Sequence, residues 1–226
     1  MSERTRVLLV RHAQPTDAVR GRCYGALDVG LSAAGRQQAQ RLAATLRRTA
    51  LTALYASPSQ RALDTAAPVA ATHGLGPIVD ERLSEIDFGD FEGRSYEEIE
   101  HSHPDLYRRW MHTPTLVQFP GGESYADLRV RALEAMETIR ATHVGKTTAV
   151  VSHGGVLRTM LAACLEMPAE AIFRLDQSYG AISVVDWIDS MPIVRLLNAQ
   201  PAALAPKRHG FLPTLADEQA ARSVTR

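Results

Sequence analysis

The stretch Val7-Leu8-Leu9-Val10 runs directly into Arg11-His12, and this junction is the most informative point of the sequence. A short apolar run rich in branched residues is typical of a strand that is covered on both faces. The pattern returns downstream, where Thr148-Ala149-Val150-Val151 runs into Ser152-His153-Gly154-Gly155. Ligands in open α/β sheets collect beyond the carboxyl ends of the strands. An arginine and an imidazole at such an end predict an anion site that contains a nucleophile.

Strand-like and helix-like segments alternate along the chain, which predicts an α/β fold with a parallel or mostly parallel sheet. One domain is expected over residues 1–200, and the Ala/Pro-rich residues 201–226 are expected to be weakly ordered or packed on that domain. Further strands are expected at 51–55, 77–79, 182–187 and 193–197, the last two paired through Asp189-Ser190. Helices are expected at 33–48, 59–72, 95–113, 123–142 and 155–165.

Composition argues against several classes of partner and location. Among 226 residues, 25 Lys+Arg balance 25 Asp+Glu, so no bulk positive charge indicates nucleic acid or an anionic membrane. Cys23 and Cys164 are too few for a disulfide scaffold and are not spaced as a metal site. The N-terminus is polar, and the apolar run after it is too short for a signal peptide or a membrane span. We therefore expect a cytoplasmic protein.

A third basic group, Arg61, lies in Ser57-Pro58-Ser59-Gln60-Arg61-Ala62, in the first turn of a predicted helix. A helix N-terminus offers free N–H groups and a positive dipole end, both of which suit a phosphate. The planar guanidinium group of an arginine can bind two phosphate oxygens at once. Gly154-Gly155 lets the backbone pass close to a ligand, so Gly154 is also a candidate binding position.

Four segments together resemble the histidine phosphatase (phosphoglycerate mutase-like) superfamily, and they occur in the order typical of that family. They are Leu9-Val10-Arg11-His12-Ala13, the segment Ser57-Pro58-Ser59-Gln60-Arg61-Ala62-Leu63-Asp64-Thr65-Ala66, Leu83-Ser84-Glu85-Ile86-Asp87-Phe88-Gly89 and Val151-Ser152-His153-Gly154-Gly155. The resemblance covers roughly residues 5–200 and implies a three-layer α/β/α sandwich with a mostly parallel central sheet. The family usually has glycine where this chain has Ala13.

The resemblance also implies a role for each motif residue. His12 would be the nucleophile that becomes a phosphohistidine, and it must attack as neutral imidazole. Arg11, Arg61 and His153 would surround the phosphoryl oxygens as three cationic donors, so neither a metal nor another cofactor is expected. Glu85 matches the general acid, which protonates the leaving oxygen and then activates water.

Shorter resemblances indicate a branch of the family. The mutases of the family carry a longer insertion between the positions of Glu85 and His153, and its absence here favours a hydrolase. Residues 21–29, 119–124 and 167–171 resemble the α-ribazole phosphatase branch, although broad-specificity phosphatases share these segments. By this resemblance Arg22 and Tyr24 would lie on the substrate side of the pocket. Glu123 is a secondary substrate-binding candidate that could equally be a helix cap.

Ordinary structural roles remain alternatives for the same residues. His12 and His153 could be core histidines bonded to backbone carbonyls, and Arg61 could be a solvated helix residue. Nearby acids that compete with Glu85 for the proton-donor role are Asp87, Asp90, Glu92 and Glu123. Tyr96, Tyr107 and Trp110 are interpreted as a packing face rather than a base-stacking platform, because no basic stripe accompanies them. His101, His103 and His112 do not have the pattern of a metal set.

The leading hypothesis is a metal-independent hydrolase of small-molecule phosphomonoesters. The first rival is a mutase that moves phosphate within a phosphoglycerate. The second is a catalytically silent phosphate-binding module, which would need neither a nucleophile nor a proton donor. The natural substrate stays open at this stage, and a homodimer stays an open alternative to a monomer.

Overall fold

The central sheet has six strands. The computed structural model describes residues 4–201, and all strands named here belong to that part of the chain. They are β1 (Arg4–Arg11), β2 (Ala53–Ala56), β3 (Ile78–Val79), β4 (Thr147–Ser152), β5 (Ile182–Ile188) and β6 (Met191–Ala199). Their order is β3-β2-β4-β1-β5-β6, with parallel pairing from β3 to β1 and antiparallel pairing of β5 with both its neighbours. The prediction of a mostly parallel sheet is confirmed.

Helices cover both faces of this sheet. They are α1 (Ala33–Leu46), α2 (Gln60–His73), α3 (Tyr96–Ser102), α4 (Pro104–His112), α5 (Tyr125–Thr142) and α6 (Gly154–Cys164). Side chains alternate along β1, so that Leu8 and Val10 pack with α1 and α2 on one face. Val7 and Leu9 pack with α3 to α6 on the other face. The fold is therefore the expected three-layer α/β/α sandwich.

The two sequence motifs with strand-end histidines lie side by side at the middle of the sheet. In the parallel pairing of β1 with β4, Val10 is opposite Val151 and Arg11 is opposite Ser152. The backbone N–H of His12 donates to the carbonyl of Ser152 over 2.8 Å. Because carboxyl ends of parallel strands meet at one edge, the segments after β1 and β4 enter the same site.

The predicted helix over residues 95–113 is wrong in one respect, because the segment forms two helices. His103, with φ −137° and ψ 59°, separates α3 from α4. Pro104 follows it, and the proline ring disfavours the helical conformation in the preceding residue. Proline suits the first position of a new helix, where its missing N–H costs nothing. The break lets the two helices pack around Ile99 and Trp110, which are both buried.

Two other boundaries follow from local chemistry. α5 begins at Tyr125 rather than at Glu123, because Ser124 and Asp127 form a capping box. β5 and β6 form the expected antiparallel hairpin through Asp189-Ser190, with Asp189 in the left-handed region at φ 56°. The prediction for the tail falls on residues 202–226, which lie outside the described part of the chain. None of the helices within residues 4–201 is long and apolar enough to cross a membrane.

Candidate active site

His12 lies one residue beyond β1 and is almost completely buried. Its Nδ1 atom is 2.8 Å from the carbonyl oxygen of Ala13. A carbonyl only accepts hydrogen bonds, so Nδ1 carries the proton and Nε2 keeps its lone pair. Burial, with the nearby charges of Arg11 and Arg61, holds the pKa of His12 well below its ordinary value. The ring is therefore a neutral imidazole with the tautomer that a nucleophile needs.

Ala13 occupies this position without distorting the backbone. It is fully buried against Leu31 and Ala39. Its N–H donates to the Thr65 hydroxyl over 2.9 Å, and its carbonyl accepts from His12. The methyl group thus fills a small apolar contact beside the nucleophile, and the departure from the family's usual glycine is accommodated.

Arg11 points from the end of β1 towards the loop before β5. One of its terminal nitrogens donates to the carbonyl of Gln177, and its guanidinium carbon lies 4.1 Å from the ring centroid of Tyr179. Its Nε atom is buried and has no hydrogen-bond partner among the described residues. A cation over an aromatic face is stabilised by the ring quadrupole, which orients the guanidinium group.

Arg61 is completely buried in the first turn of α2. Its two terminal nitrogens donate to backbone carbonyls of the loop over residues 24–27, including Leu27 at 3.0 Å and Gly25 at 2.7 Å. Burial lowers the pKa of Arg61, and the negative charge of Glu85 opposes this shift only in part. The alternative of a solvated helix residue is therefore wrong for Arg61.

His153 precedes α6 and is completely buried. Its Nε2 atom lies 2.8 Å from the Ser57 hydroxyl and 3.0 Å from the Ser59 hydroxyl. Burial, Arg61 and His12 hold its pKa well below the ordinary value. The low pKa favours the neutral ring, so only Arg11 and Arg61 are expected to carry charge here, where the sequence predicted three cationic donors. When a serine hydroxyl donates to Nε2, Nδ1 carries the proton and can donate it to a ligand.

Unpartnered nitrogen atoms converge on this site. Within residues 4–201, four buried side-chain polar atoms lack a hydrogen-bond partner, and three of them are Arg11 Nε, Arg61 Nε and His153 Nδ1. Such buried groups are costly unless something pairs with them. Two guanidinium N–H groups and one imidazole N–H beside the His12 ring form a set of donors suited to the oxygens of a phosphoryl group.

Glu85 lies in the turn after β3 and reaches the start of α6. Its carboxylate accepts the backbone N–H of Ile86 and that of Gly155, each over 3.0 Å. A Cβ atom on Gly155 would stand only 2.4 Å from the Glu85 carboxylate, so glycine is required for this approach. Glu85 also borders the cavity that contains His12. The carboxylate therefore faces the same cavity as the His12 ring.

The competing acids near Glu85 have structural partners. The Glu92 carboxylate accepts four backbone N–H groups, three of them from the loop over residues 25–27. Asp87 accepts the N–H of Gly89 in a local turn, and Asp90 is exposed. None of these three acids borders the cavity of about 660 Å³ that contains His12.

Glu123 lies behind Glu85 rather than in the main cavity. Its carboxylate makes two hydrogen bonds with the Arg131 guanidinium group, at 2.8 and 2.7 Å. Arg131 in turn donates to the backbone carbonyls of Arg82, Ser84 and Glu85. Glu123 therefore anchors the turn that carries Glu85, and it lines a neighbouring cavity with Glu85 rather than the one that contains His12.

The cavity beyond His12 has an aromatic wall. Trp110 packs against Phe88 and Phe119, with ring centroids 5.5 and 5.1 Å away, so the expected packing face is also part of the cavity wall. Arg22 and Tyr24 border the cavity as well. The residues that line it are Arg11, His12, Arg22, Cys23, Tyr24, Arg61, Glu85, Ile86, Phe88, Tyr96, Tyr107, Trp110, Met111, Pro114, Tyr125, His153, Gly155, Arg158 and Phe173.

Arg22 and Tyr24 have different partners within the protein. Arg22 donates to the carbonyl of Gly93 and lies 3.7 Å from the Glu98 carboxylate, near the cavity mouth. The Tyr24 hydroxyl is hydrogen bonded to the Tyr179 hydroxyl, and burial raises the Tyr24 pKa. Tyr24 thus closes one side of the site.

His101, His103 and His112 lie outside the cavity, and no metal-binding cluster of His, Cys, Asp or Glu occurs in the described part of the chain.

Sequence reasoning missed several residues that border the site, and three of them have polar groups. Tyr179 contacts Arg11 and His12 from a loop that carries no motif, so no sequence signal was available. Arg158 and Tyr125 lie on α6 and α5 and line the cavity. Arg158 follows Gly154 by four residues, and this helical spacing would have placed it on the same face.

Comparisons with known proteins find similar sequences and similar folds. The profile of the histidine phosphatase superfamily (branch 1) matches residues 7–200. Phosphoserine phosphatase 1 of Hydrogenobacter thermophilus is 34% identical over 193 residues, which cover 85% of this chain and 92% of that protein. A bifunctional protein of Mycobacterium tuberculosis is 34% identical over 196 residues, 86% of this chain and 54% of its own length. The crystal structure of the α-ribazole phosphatase from Shigella flexneri superposes with a TM-score of 0.79 at 27% identity, covering 86% of this chain and 96% of that one.

Proposed function

Because the chain belongs to the histidine phosphatase superfamily and is a phosphatase, we propose that it hydrolyses small phosphomonoesters through a phosphohistidine on His12. The observation that carries the proposal is the state of the His12 ring. Nδ1 is held by the Ala13 carbonyl, and the low pKa keeps the ring neutral beside two arginines. A neutral imidazole among fixed donors can attack phosphorus without first losing a proton.

In the first step, His12 Nε2 forms a bond to phosphorus as the bond between phosphorus and the ester oxygen breaks. Glu85, protonated in the reactive complex, gives its proton to the departing oxygen, so the leaving group departs as an alcohol. Arg11, Arg61 and the Nδ1–H group of His153 bind the phosphoryl oxygens. These donors are fixed by their protein contacts, so little reorganisation accompanies the transfer of charge.

In the second step, water attacks the phosphorus of the phosphohistidine. Glu85, now a carboxylate, takes a proton from the water molecule, and the bond between phosphorus and Nε2 breaks. Inorganic phosphate leaves, and neutral His12 and protonated Glu85 are restored. The two arginines and His153 supply the charge stabilisation, so the proposed cycle is metal independent.

A panel of phosphomonoesters assayed with a chelator tests this proposal. We expect release of inorganic phosphate from p-nitrophenyl phosphate and from alkyl esters in the presence of the chelator. His12→Asn is expected to abolish it. Parental turnover by His12→Asn would overturn the proposal. Normal phosphate binding without any turnover by the wild-type protein would instead support the rival of a silent binding module.

The mutase rival is tested separately. Pure protein incubated with 3-phosphoglycerate and a diphosphoglycerate primer is expected to release inorganic phosphate. Accumulation of the 2-phospho isomer without phosphate release would favour a mutase. Two of the relatives described above are a phosphoserine phosphatase and an α-ribazole phosphatase, so both types of ester belong in the substrate panel.

Location and assembly are further proposals. A cytoplasmic location is supported by two buried free thiols, Cys23 and Cys164, since unpaired cysteines suit a reducing compartment. Fractionation of the native host, with the protein in the soluble cytoplasmic fraction, tests this location. The homodimer stays a prediction, and sedimentation analysis of the purified full-length chain tests it.

A further inference from the structure

Arg158 is an arginine of the main cavity that the proposed phosphoryl cycle does not use. It lies one turn into α6, four residues after Gly154. Side chains on a helix lean towards its N-terminus, so Arg158 leans back towards the phosphoryl donors. A Cβ atom on Gly154 would stand 2.9 Å from an Arg158 terminal nitrogen and 3.6 Å from the Arg11 guanidinium carbon. The two guanidinium groups therefore flank the same glycine.

No acid of the described chain forms an ion pair with Arg158, and the charges of Glu85 and Asp176 act on it only from a distance. Its one hydrogen bond found within residues 4–201 runs from Nε to the carbonyl of Leu175 over 2.8 Å, and no ion pair involves it there. The neighbouring acids have other partners. Glu85 accepts two backbone N–H groups, and Asp176 is bound by the Asn198 and Ser178 side chains. A charged guanidinium beside a second one, with no acid paired to it, is therefore suited to bind an anion from outside the protein.

Aromatic rings fix this guanidinium group. Its carbon lies 5.5 Å from the ring centroid of Phe173, which in turn meets Tyr125 edge-on at 5.4 Å. Burial raises the Tyr125 pKa, so the Tyr125 hydroxyl keeps its proton and remains a donor. Tyr125 and Phe173 line the same cavity as Arg158. The cavity wall therefore carries a charged donor, Arg158, and a neutral donor, the Tyr125 hydroxyl, beside the apolar ring of Phe173.

This pair of donors lines the same cavity as Glu85. Glu85, which protonates the leaving oxygen, is held by Gly155 at the start of the same helix. We propose that Arg158, assisted by the Tyr125 hydroxyl, binds a carboxylate carried by the leaving group. The inference rests on the proposed function. A planar guanidinium fork matches a carboxylate through two parallel hydrogen bonds. Short phosphate esters of hydroxy acids and hydroxy amino acids are therefore the preferred substrate class.

Matched pairs of esters test the proposal. 3-Phosphoglycerate is compared with glycerol 3-phosphate, and O-phosphoserine with O-phosphoethanolamine, because each pair differs in the carboxylate. We expect the wild-type kcat/KM to favour the carboxylate ester of each pair. Arg158→Gln is expected to lower that preference roughly 10- to 100-fold, the range that a lost hydrogen-bonded charge pair produces.

Arg129→Gln is the matched control. Arg129 is exposed on α5 and does not line the main cavity, so the variant makes the same charge change and is expected to leave the preference unaltered. The proposal is overturned when the wild-type protein does not favour carboxylate esters, or when Arg158→Gln lowers kcat/KM equally for both members of a pair. Absence of turnover even with p-nitrophenyl phosphate would overturn the proposed function itself, which is a distinguishable result.

Discussion

The rings of His12 and His153 lie side by side in the interior, with centroids 5.0 Å apart and planes inclined by 56°. Both rings are buried, and both have a pKa held well below the ordinary value. Two imidazolium ions could not share this space beside Arg11 and Arg61 without strong repulsion. The site is therefore organised around neutral imidazoles and two guanidinium groups, and several measurable consequences follow from that charge state.

The first consequence concerns stability and pH. In the unfolded chain His12 and His153 take up protons below pH about 6.5, whereas in the folded protein they stay neutral. Unfolding therefore takes up protons, and the free energy of unfolding falls as pH is lowered below that value. Each histidine contributes a slope that rises to about 1.4 kcal/mol per pH unit as its unfolded form becomes fully protonated. Urea unfolding between pH 7 and 5 measures this slope.

Single substitutions identify the origin of that pH dependence. His12→Asn and His153→Asn are each expected to reduce the slope of stability against pH by up to about 1.4 kcal/mol per unit. The slope is the readout, so a change in absolute stability does not affect the test. Equal slopes in the wild-type protein and both variants would show that these histidines are not held neutral.

Replacing Glu85 separates the two chemical steps. Glu85→Gln cannot protonate a leaving oxygen, so hydrolysis of alkyl phosphates is expected to slow by on the order of 10²–10⁴. p-Nitrophenolate leaves without a proton, so the variant is expected to release it in a burst that matches the enzyme concentration. The burst arises because water attack on the phosphoenzyme still lacks its base. Rapid-mixing absorbance measures it.

Glu97→Gln serves as the control for Glu85→Gln. Glu97 is exposed in the first turn of α3, outside the cavity. Its replacement is expected to leave the rates of hydrolysis of alkyl and nitrophenyl phosphates unchanged. Equal losses in Glu85→Gln for alkyl and nitrophenyl esters, with no burst, would argue that Glu85 is not the proton donor.

Gly155 is the structural requirement for the position of Glu85. A Cβ atom there would come within 2.4 Å of the carboxylate, which must move. Gly155→Ala is therefore expected to lower kcat for alkyl phosphates at least about tenfold, in the same direction as Glu85→Gln. Gly76→Ala is the control, because a Cβ atom on Gly76 meets nothing within 4 Å. Steady-state kinetics of both variants decide the matter, and an unchanged kcat in Gly155→Ala would contradict the assigned contact.

The ion pair of Glu123 with Arg131 is expected to position Glu85 without touching substrate. Arg131→Lys loses the planar fork and the bonds to the carbonyls of the Glu85 turn, so we expect a loss of about 1–3 kcal/mol in the free energy of unfolding. Glu123→Gln and the double variant complete a cycle in urea unfolding. A coupling energy below about 0.5 kcal/mol would show that the two side chains act independently.

The sequence was sufficient to predict the mostly parallel sheet, the three layers and the basic residues at the ends of two strands. The apolar runs before His12 and His153 and the alternation of elements carry that information locally. Pro104 shows where the prediction failed, since a single helix was expected over residues 95–113 although the proline imposes a break. Glu123 and Tyr179 could not be placed from the sequence, because their roles depend on partners far along the chain. The protonation state of His153 depends on how deeply the ring is buried, and a sequence motif does not reveal burial.

The most direct test of the account is the capture of the phosphoenzyme. Wild-type protein is mixed with a phosphate-labelled ester, quenched in denaturant at alkaline pH and digested, and the modified peptide is sequenced by mass spectrometry. A phosphoramidate is acid labile and stable to base, unlike a phosphoserine. We predict the label on His12, lost on brief acid treatment and absent in His12→Asn. Label on another residue, or rapid turnover with no labelled peptide in either protein, would contradict the central claim.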